Sequence, residues 1–234
     1  MKVSEPGDGK YYKVARPRSI AEGLVIRARD QIYKDFIRVC RPRREDTILD
    51  VGISDIAGHS ANFLERLYPY RNQITAVGLG TAEGFQMDFP EVRYLQIAPN
   101  ARLPFDDGEF AIATSNAVLE HVGTLDNQIK FVAELSRVSQ KVFISVPNRF
   151  FPIEHHTAIP ILHYLDTSFA LACKVTNKTE WMDSSNLILM SKSRLRALWP
   201  PQSNVQIALT GIYLGPFSSN ILAYCDRLAN YVGK

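Results

Sequence analysis

NARLPFDDGEFAIATSNAVLEHV, residues 100–122, sets in one run a Leu-Pro-Phe loop, an acidic turn, an apolar strand opening at Phe110 and a helix start near Leu119-Glu120-His121. Short apolar segments bounded by Gly, Pro, Asn or Asp flank it on both sides, and each reads as a strand buried on both faces. They cover residues 47–52, 73–79, 92–97, 110–115 and 141–146, the last stopped by Pro147. Helical patterns lie between them. Residues 60–68 form one, and residues 126–140 repeat Ile129, Val132, Leu135 and Val138 every three residues, which predicts a helix with a buried stripe. Strands alternating with helices imply an α/β fold, a doubly wound Rossmann-like sheet with helices on both faces and its ligand beyond the carboxyl ends of the strands.

The chain of 234 residues carries 46% hydrophobic and 22% charged residues and a net charge of +3. That composition excludes disordered, collagen-like and low-complexity classes and predicts a single domain over residues 1–234. Cys40, Cys173 and Cys225 are far apart, so neither a disulfide framework nor a cysteine zinc site is expected. The opening MKVSEPGDGKYYK has no apolar core of a signal peptide, and no stretch is apolar enough to span a bilayer. A cytoplasmic protein is the expectation.

Charge is uneven. Residues 1–45 hold twelve Lys or Arg against six Asp or Glu, whereas the remainder carries a small negative excess. A basic front end can grip nucleic acid, but Ile20, Leu24, Ile32, Phe36 and Val39 recur at near-helical spacing, so a helical extension packed on the domain is favoured and nucleic acid is not the expected partner. At the other end, Ser191 caps a short helix stopped by Pro200, and residues 204–210 and 219–225 read as an antiparallel pair joined through the turn-rich GIYLGPFS. Residues 148–190 form an insertion rich in aromatics and histidine, placed where such folds build substrate specificity.

Three segments carry chemistry. ILDVG ends a strand with Asp50 and Gly52, a carboxylate beside unobstructed backbone; residues 100–122 follow; and FISVPNRFFPIEHHT runs from the fifth strand into the insertion. Together they resemble the class I S-adenosylmethionine-dependent methyltransferases, in particular the bacterial type 11 group, over about residues 45–165. The resemblance implies a seven-stranded sheet with an antiparallel C-terminal pair, S-adenosylmethionine as cofactor, and methyl transfer to an oxygen or nitrogen of a small molecule or glycan precursor. It places Asp50, Gly52 and Ser54 at the methionyl end of the cofactor, Gly78 at the ribose, Asn100 and Ala101 at the adenine, and Ser115 and Asn116 beneath the sulfonium.

The chain also departs from that family. Its glycine-rich turn is reduced to Asp50, Gly52, Ser54 and Ile56, residues 77–80 (VGLG) end the second strand without the usual ribose-binding acid, and Asn100 stands for an adenine-binding Asp. A non-catalytic relative binding another ligand or a protein partner is therefore the alternative. No GxGxxG, GxSxG or HExxH motif occurs, which argues against a nicotinamide dehydrogenase, a hydrolase or a zinc protease. Glu154 or His156 could remove a proton from an acceptor, or they could hydrogen-bond across the insertion and hold it shut. No metal is expected, because Glu154, His155 and His156, adjacent on one loop, seldom converge on one ion. Phe150, Phe151, Tyr164, Phe169 and Trp181 either line an acceptor pocket or fill a core.

Overall fold

The computed structural model describes residues 20–55 and 62–227. In chain order the elements are α1 (Ile20–Cys40), β1 (Ile48–Val51), α2 (Phe63–Leu67), β2 (Ile74–Gly78), α3 (Glu83–Asp88), β3 (Arg93–Gln96), β4 (Phe110–Asn116), α4 (Leu125–Val138), β5 (Ser139–Pro147), α5 (Asp166–Val175), α6 (Lys192–Ala197), β6 (Gln206–Leu214) and β7 (Phe217–Asp226). They form one seven-stranded sheet in the order β3-β2-β1-β4-β5-β7-β6. The first five strands run parallel; β7 pairs antiparallel with both β5 and β6.

The sheet is apolar on both sides because successive side chains alternate across it. Ile48, Ile112 and Phe143 face one core with Ile32, Phe36 and Cys40 of α1, Phe63 and Leu64 of α2 and Phe85 of α3. Their neighbours Leu49, Ala113 and Ile144 face the other, against Val132, Leu135 and Val138 of α4 and Leu195 of α6. α1 is fixed on the sheet by these contacts and by Asp35, which accepts a 2.7 Å hydrogen bond from the Thr210 hydroxyl. Its Leu24 is exposed, so the buried face runs through Ala28, Ile32, Phe36 and Cys40 instead.

Three other expectations are corrected. Leu119-Glu120-His121 forms one 3₁₀ turn only; the helix begins after Gly123 (φ +90°), with the Thr124 hydroxyl accepting from Asn127 N at 3.3 Å. Ile129 is exposed, and Gln128 is buried in its place, donating to the Leu119 carbonyl at 2.9 Å and accepting from Arg194 at 3.0 Å. GIYLGPFS is mostly strand: β6 continues to Leu214 through an irregularity between Thr210 and Tyr213 that contains Gly211 (φ +82°), and β7 starts at Phe217. At Gly211 an added Cβ would stand 2.3 Å from Ser219 Oγ, so only glycine fits there.

The Leu-Pro-Phe loop is held on α4 by Arg137, which donates to the Leu103 and Phe105 carbonyls at 2.9 and 2.8 Å and pairs with Glu134 and Asp107. Ser191 does cap α6, accepting from Arg194 N at 3.2 Å. The insertion has its own small core of Ile159, Phe169, Cys173, Trp181 and Leu187, which assigns Phe169 and Trp181 to packing and leaves Phe150 exposed. No helix among the described residues is long and apolar enough to cross a membrane.

Candidate active site

A cleft of about 650 Å³ opens at the carboxyl ends of β1, β2 and β4, within the size range of small-ligand sites. Gly52 forms its floor. The residue has φ +97°, and a Cβ built on it would lie 2.2 Å from Val118 Cγ2, so any side chain here would collide with the strand-four turn. Gly52 N and Ile53 N both donate to the Val77 carbonyl, at 2.9 and 3.3 Å, which ties this turn to β2. Ile53, Val77, Leu79, Ile97, Val118 and Leu103 give the cleft apolar walls. Asn100 (φ +56°) and Ala101 close one end, and Thr124, Asn127, His121, Ser184 and Ser185 supply polar groups at the other.

Of the residues expected at a cofactor, Gly52, Gly78, Asn100 and Ala101 line this cleft. The others stand behind its surface. Ser54 is buried, its amide donating to Asn62 Oδ1 at 2.9 Å and its carbonyl accepting from Asn62 Nδ2 at 2.7 Å. The Ser115 hydroxyl donates to the Val51 carbonyl at 2.8 Å, and Asn116 accepts from the Ser145 hydroxyl, so both brace the strand ends. Ile56 lies outside the described residues. Leu79, not Gly78, presents a side chain to the cleft at the tip of β2. A Cβ on Gly78 would meet Tyr94 Oη at 3.0 Å, and that hydroxyl is engaged on the Gly80 carbonyl at 2.5 Å.

Asp50 faces Glu65 beneath the floor. Glu65 is fully buried with neither carboxyl oxygen on a hydrogen-bond donor. Burial and the neighbouring acid push Glu65 well above its ordinary pKa, and burial pushes Asp50 up to about 6. A carboxyl raised on folding contributes stability that is present at low pH and lost as pH rises through the folded value. Stability against urea is therefore expected to fall between about pH 4 and pH 7, and Glu65→Gln should flatten that slope and stabilise the protein at pH 8 by on the order of 1–3 kcal/mol. Unchanged pH dependence in the folded variant would contradict this origin.

Glu154 and His156 lie behind His121, on the insertion side. The Glu154 carboxylate accepts from His156 N and Nδ1, both at 2.9 Å, and from Thr157 N and Oγ1 at 2.6 and 2.7 Å. These donors and the charge of His156 outweigh burial and hold Glu154 down at about 2, while Glu154 raises His156. His156 Nε2 lies 3.1 Å from His121 Nε2, and His121 Nδ1 lies 2.6 Å from the Asn186 carbonyl. Burial, with the charge on His156, lowers His121 to about 4, so it is neutral at pH 7. His121 is the member of this chain that reaches the cleft. Sequence reading missed it as a site residue, since its partners lie 35 and 65 positions away; the Glu-His pair following β4 was the available signal.

Residues 49–142 match the family model described as a methyltransferase domain. A comparison with curated protein sequences finds no match. Among solved structures, magnesium protoporphyrin IX methyltransferase from Synechocystis PCC 6803, with bound SAH, aligns at 10% identity over 92% of this chain and 90% of its own, with TM-score 0.57. A structure of the Haloferax volcanii Trm112 methyltransferase activator with the putative methyltransferase aligns at 12% identity over 88% and 93%, with TM-score 0.57. A SAM-dependent methyltransferase from Aquifex aeolicus aligns at 14% identity over 85% and 91%, with TM-score 0.50. At these identities the structures establish a shared fold, and the family-model match covers residues 49–142 of it.

Proposed function

We propose that this chain is an S-adenosylmethionine-dependent methyltransferase whose methyl acceptor is an oxygen or nitrogen of a small molecule or glycan precursor. The observation that carries this reading is the floor of the cleft: an apolar slot at the ends of β1 and β2 in which Gly52 leaves no room for a side chain of its own. S-adenosylmethionine supplies an electrophilic methyl group on a sulfonium. Gly52 and Gly78 admit the ligand close to backbone, Ile53, Leu79 and Ile97 exclude water from its apolar faces, and the Asn100 amide offers both donor and acceptor. Thr124, Asn127, Ser184 and Ser185 orient a polar acceptor at the opposite rim by hydrogen bonds, which turns an encounter into an aligned displacement. Neutral His121 walls that rim. Glu154 and His156 are positioning residues behind it, because the Glu154 carboxylate is held by His156 and Thr157 of its own loop.

The reading is tested by mixing the protein with methyl-labelled donor and fractions of small hydroxylated or aminated metabolites. Label is expected to pass to acceptors that carry a free hydroxyl or amine, with stoichiometric S-adenosylhomocysteine. Label found only on carbon, or only on a macromolecule, would contradict it.

The missing acid of β2 gives a second test. Leu79 is 39% exposed and lines the cleft, so Leu79→Asp should present a carboxylate to the ribose hydroxyls and tighten S-adenosylhomocysteine by about 1–3 kcal/mol, the range for hydrogen bonds to a charged group. Binding no tighter than that of the original protein, in a folded variant, would place the ribose elsewhere.

A further inference from the structure

The same turn that brings His121 to the cleft wall buries Glu120, at 1% exposure. Neither Glu120 oxygen has a hydrogen-bond partner. Removing a carboxylate from water without a donor is among the costlier things a fold can do. The groups nearest to it are two imidazoles. Glu120 Oε1 is 3.9 Å from His121 Nε2, and His121 Nε2 is 3.1 Å from His156 Nε2.

Both rings are oriented through their other nitrogen. His121 Nδ1 is spent on the Asn186 carbonyl and His156 Nδ1 on the Glu154 carboxylate. Two imidazoles fixed at Nδ1 by a carbonyl and a carboxylate, with the Nε2 atoms turned towards each other, is the outer-shell arrangement that metal-binding histidines show. The ligand atoms of Glu120, His121 and His156 all lie within 4.8 Å of one another. The 3.1 Å between the nitrogens is close to the edge of a tetrahedron with ~2.0 Å arms, about 3.3 Å. Trp181, 5.1 Å from the His156 ring, shields the cluster on the insertion side.

We propose that Glu120, His121 and His156 form a binding site for a divalent transition-metal ion of the zinc class, with Glu154 and the Asn186 carbonyl as its outer shell. Two nitrogens and one carboxylate suit a borderline ion such as Zn²⁺; Mg²⁺ and Ca²⁺ prefer oxygen throughout. Binding needs both Nε2 lone pairs, so any proton on either Nε2 is released to solvent as the ion enters, and Glu120 binds as the carboxylate. The ion then neutralises the buried charge that no donor meets. The trio spans β4's turn and the insertion, so the ion also fastens the cover to the sheet. His155, whose ring packs on Phe151, is not part of the site, which differs from the adjacent loop set read from sequence. The proposal is independent of the methyl-donor reading.

The full chain, freed of metal by dialysis against a chelator, is titrated with Zn²⁺ and Co²⁺ and its bound metal counted by mass spectrometry after gel filtration. One ion per chain is expected, and Co²⁺ should give the intense visible bands of a low-coordinate nitrogen and oxygen site. His121→Ala and His156→Ala should each weaken binding at least 100-fold, and Glu154→Gln, which touches only the outer shell, about 10–100-fold. Binding by His155→Asn should match the original chain. The proposal is overturned if the original chain retains no stoichiometric ion, a result that needs no variant to fold. It is equally overturned if a folded His121→Ala/His156→Ala double variant retains the ion undiminished, which would mark adventitious surface binding.

Discussion

Phe36→Ala is expected to destabilise the protein by about 3–5 kcal/mol, the usual cost of truncating a buried aromatic. Phe36 is 1% exposed and meets Phe143 of β5 edge to face, with ring centroids 5.5 Å apart. It is also the bulkiest side chain by which α1 contacts the sheet, between Ile32 and Cys40 one turn to either side. Little nearby can collapse into the void, because its neighbours Ile48, Ile112 and Phe143 belong to strands locked in register. The loss would fall on the attachment of α1 to β5, β6 and β7. A lowered urea midpoint with an unchanged m-value is the expected record, since the transition stays cooperative and only its free energy changes. A loss under about 1 kcal/mol would show that α1 contributes little to the fold, contrary to the packing described.

Gly52→Val is expected to abolish binding of S-adenosylhomocysteine, at least 100-fold in affinity, while costing more than the ~1–3 kcal/mol of a strained backbone alone. Two effects act together. The conformation at φ +97° is one that side-chain-bearing residues rarely adopt, and the new Cβ would begin 2.2 Å from Val118 Cγ2. Relief requires moving Val118 and the turn after β4, and these form the cleft floor. Gly52→Ala suffers the same Cβ collision without the branched methyls, so it should lie between the original protein and Gly52→Val in both stability and affinity. Unaltered binding in a folded Gly52→Val protein would show that the cleft described is not where the ligand sits.

The succession of strands along the chain and the glycine at the floor of the cleft were legible in sequence because local rules govern them. ILDVG and the Phe110 strand are short apolar runs with turn residues at their ends, and residues so patterned are buried on both faces as expected. Gly52 could be picked out because glycine after an acid at a strand tip has a conformational reason to be there. Asn100 and Ala101 came instead from the family resemblance, which implies an adenine contact in the loop before the Leu-Pro-Phe segment, and both line the cleft. What failed was decided by contacts distant in sequence. The stripe on α4 was read through Ile129, yet Gln128 is the buried residue, because Leu119 and Arg194 supply its hydrogen bonds from elsewhere in the chain. The strands β6 and β7 run through a stretch rich in Gly and Pro because their mutual pairing and an irregularity at Gly211 absorb what looked like a turn.

The polar cluster shows the same division. Glu154 and His156 were found as a loop pair, but their connection to His121 and the placement of Glu120 depend on how the insertion folds back over β4. No local pattern encodes that distance. Ser115 and Asn116 stand at the strand tip that the family resemblance indicated, yet their side chains turn into the sheet to bond Val51 and Ser145. Backbone position followed from sequence in these cases; side-chain direction followed from partners on neighbouring strands.

The most direct measurement of the central claim is a calorimetric titration of the full chain with S-adenosylhomocysteine, run alongside Gly52→Val. One site per chain is predicted, with a negative heat-capacity change from burying apolar ligand surface against Ile53, Leu79 and Ile97, and with the heat absent in the variant. No heat at millimolar ligand at two temperatures, with an unfolding midpoint that the ligand leaves unmoved, would contradict the assignment of this cleft to the methyl donor.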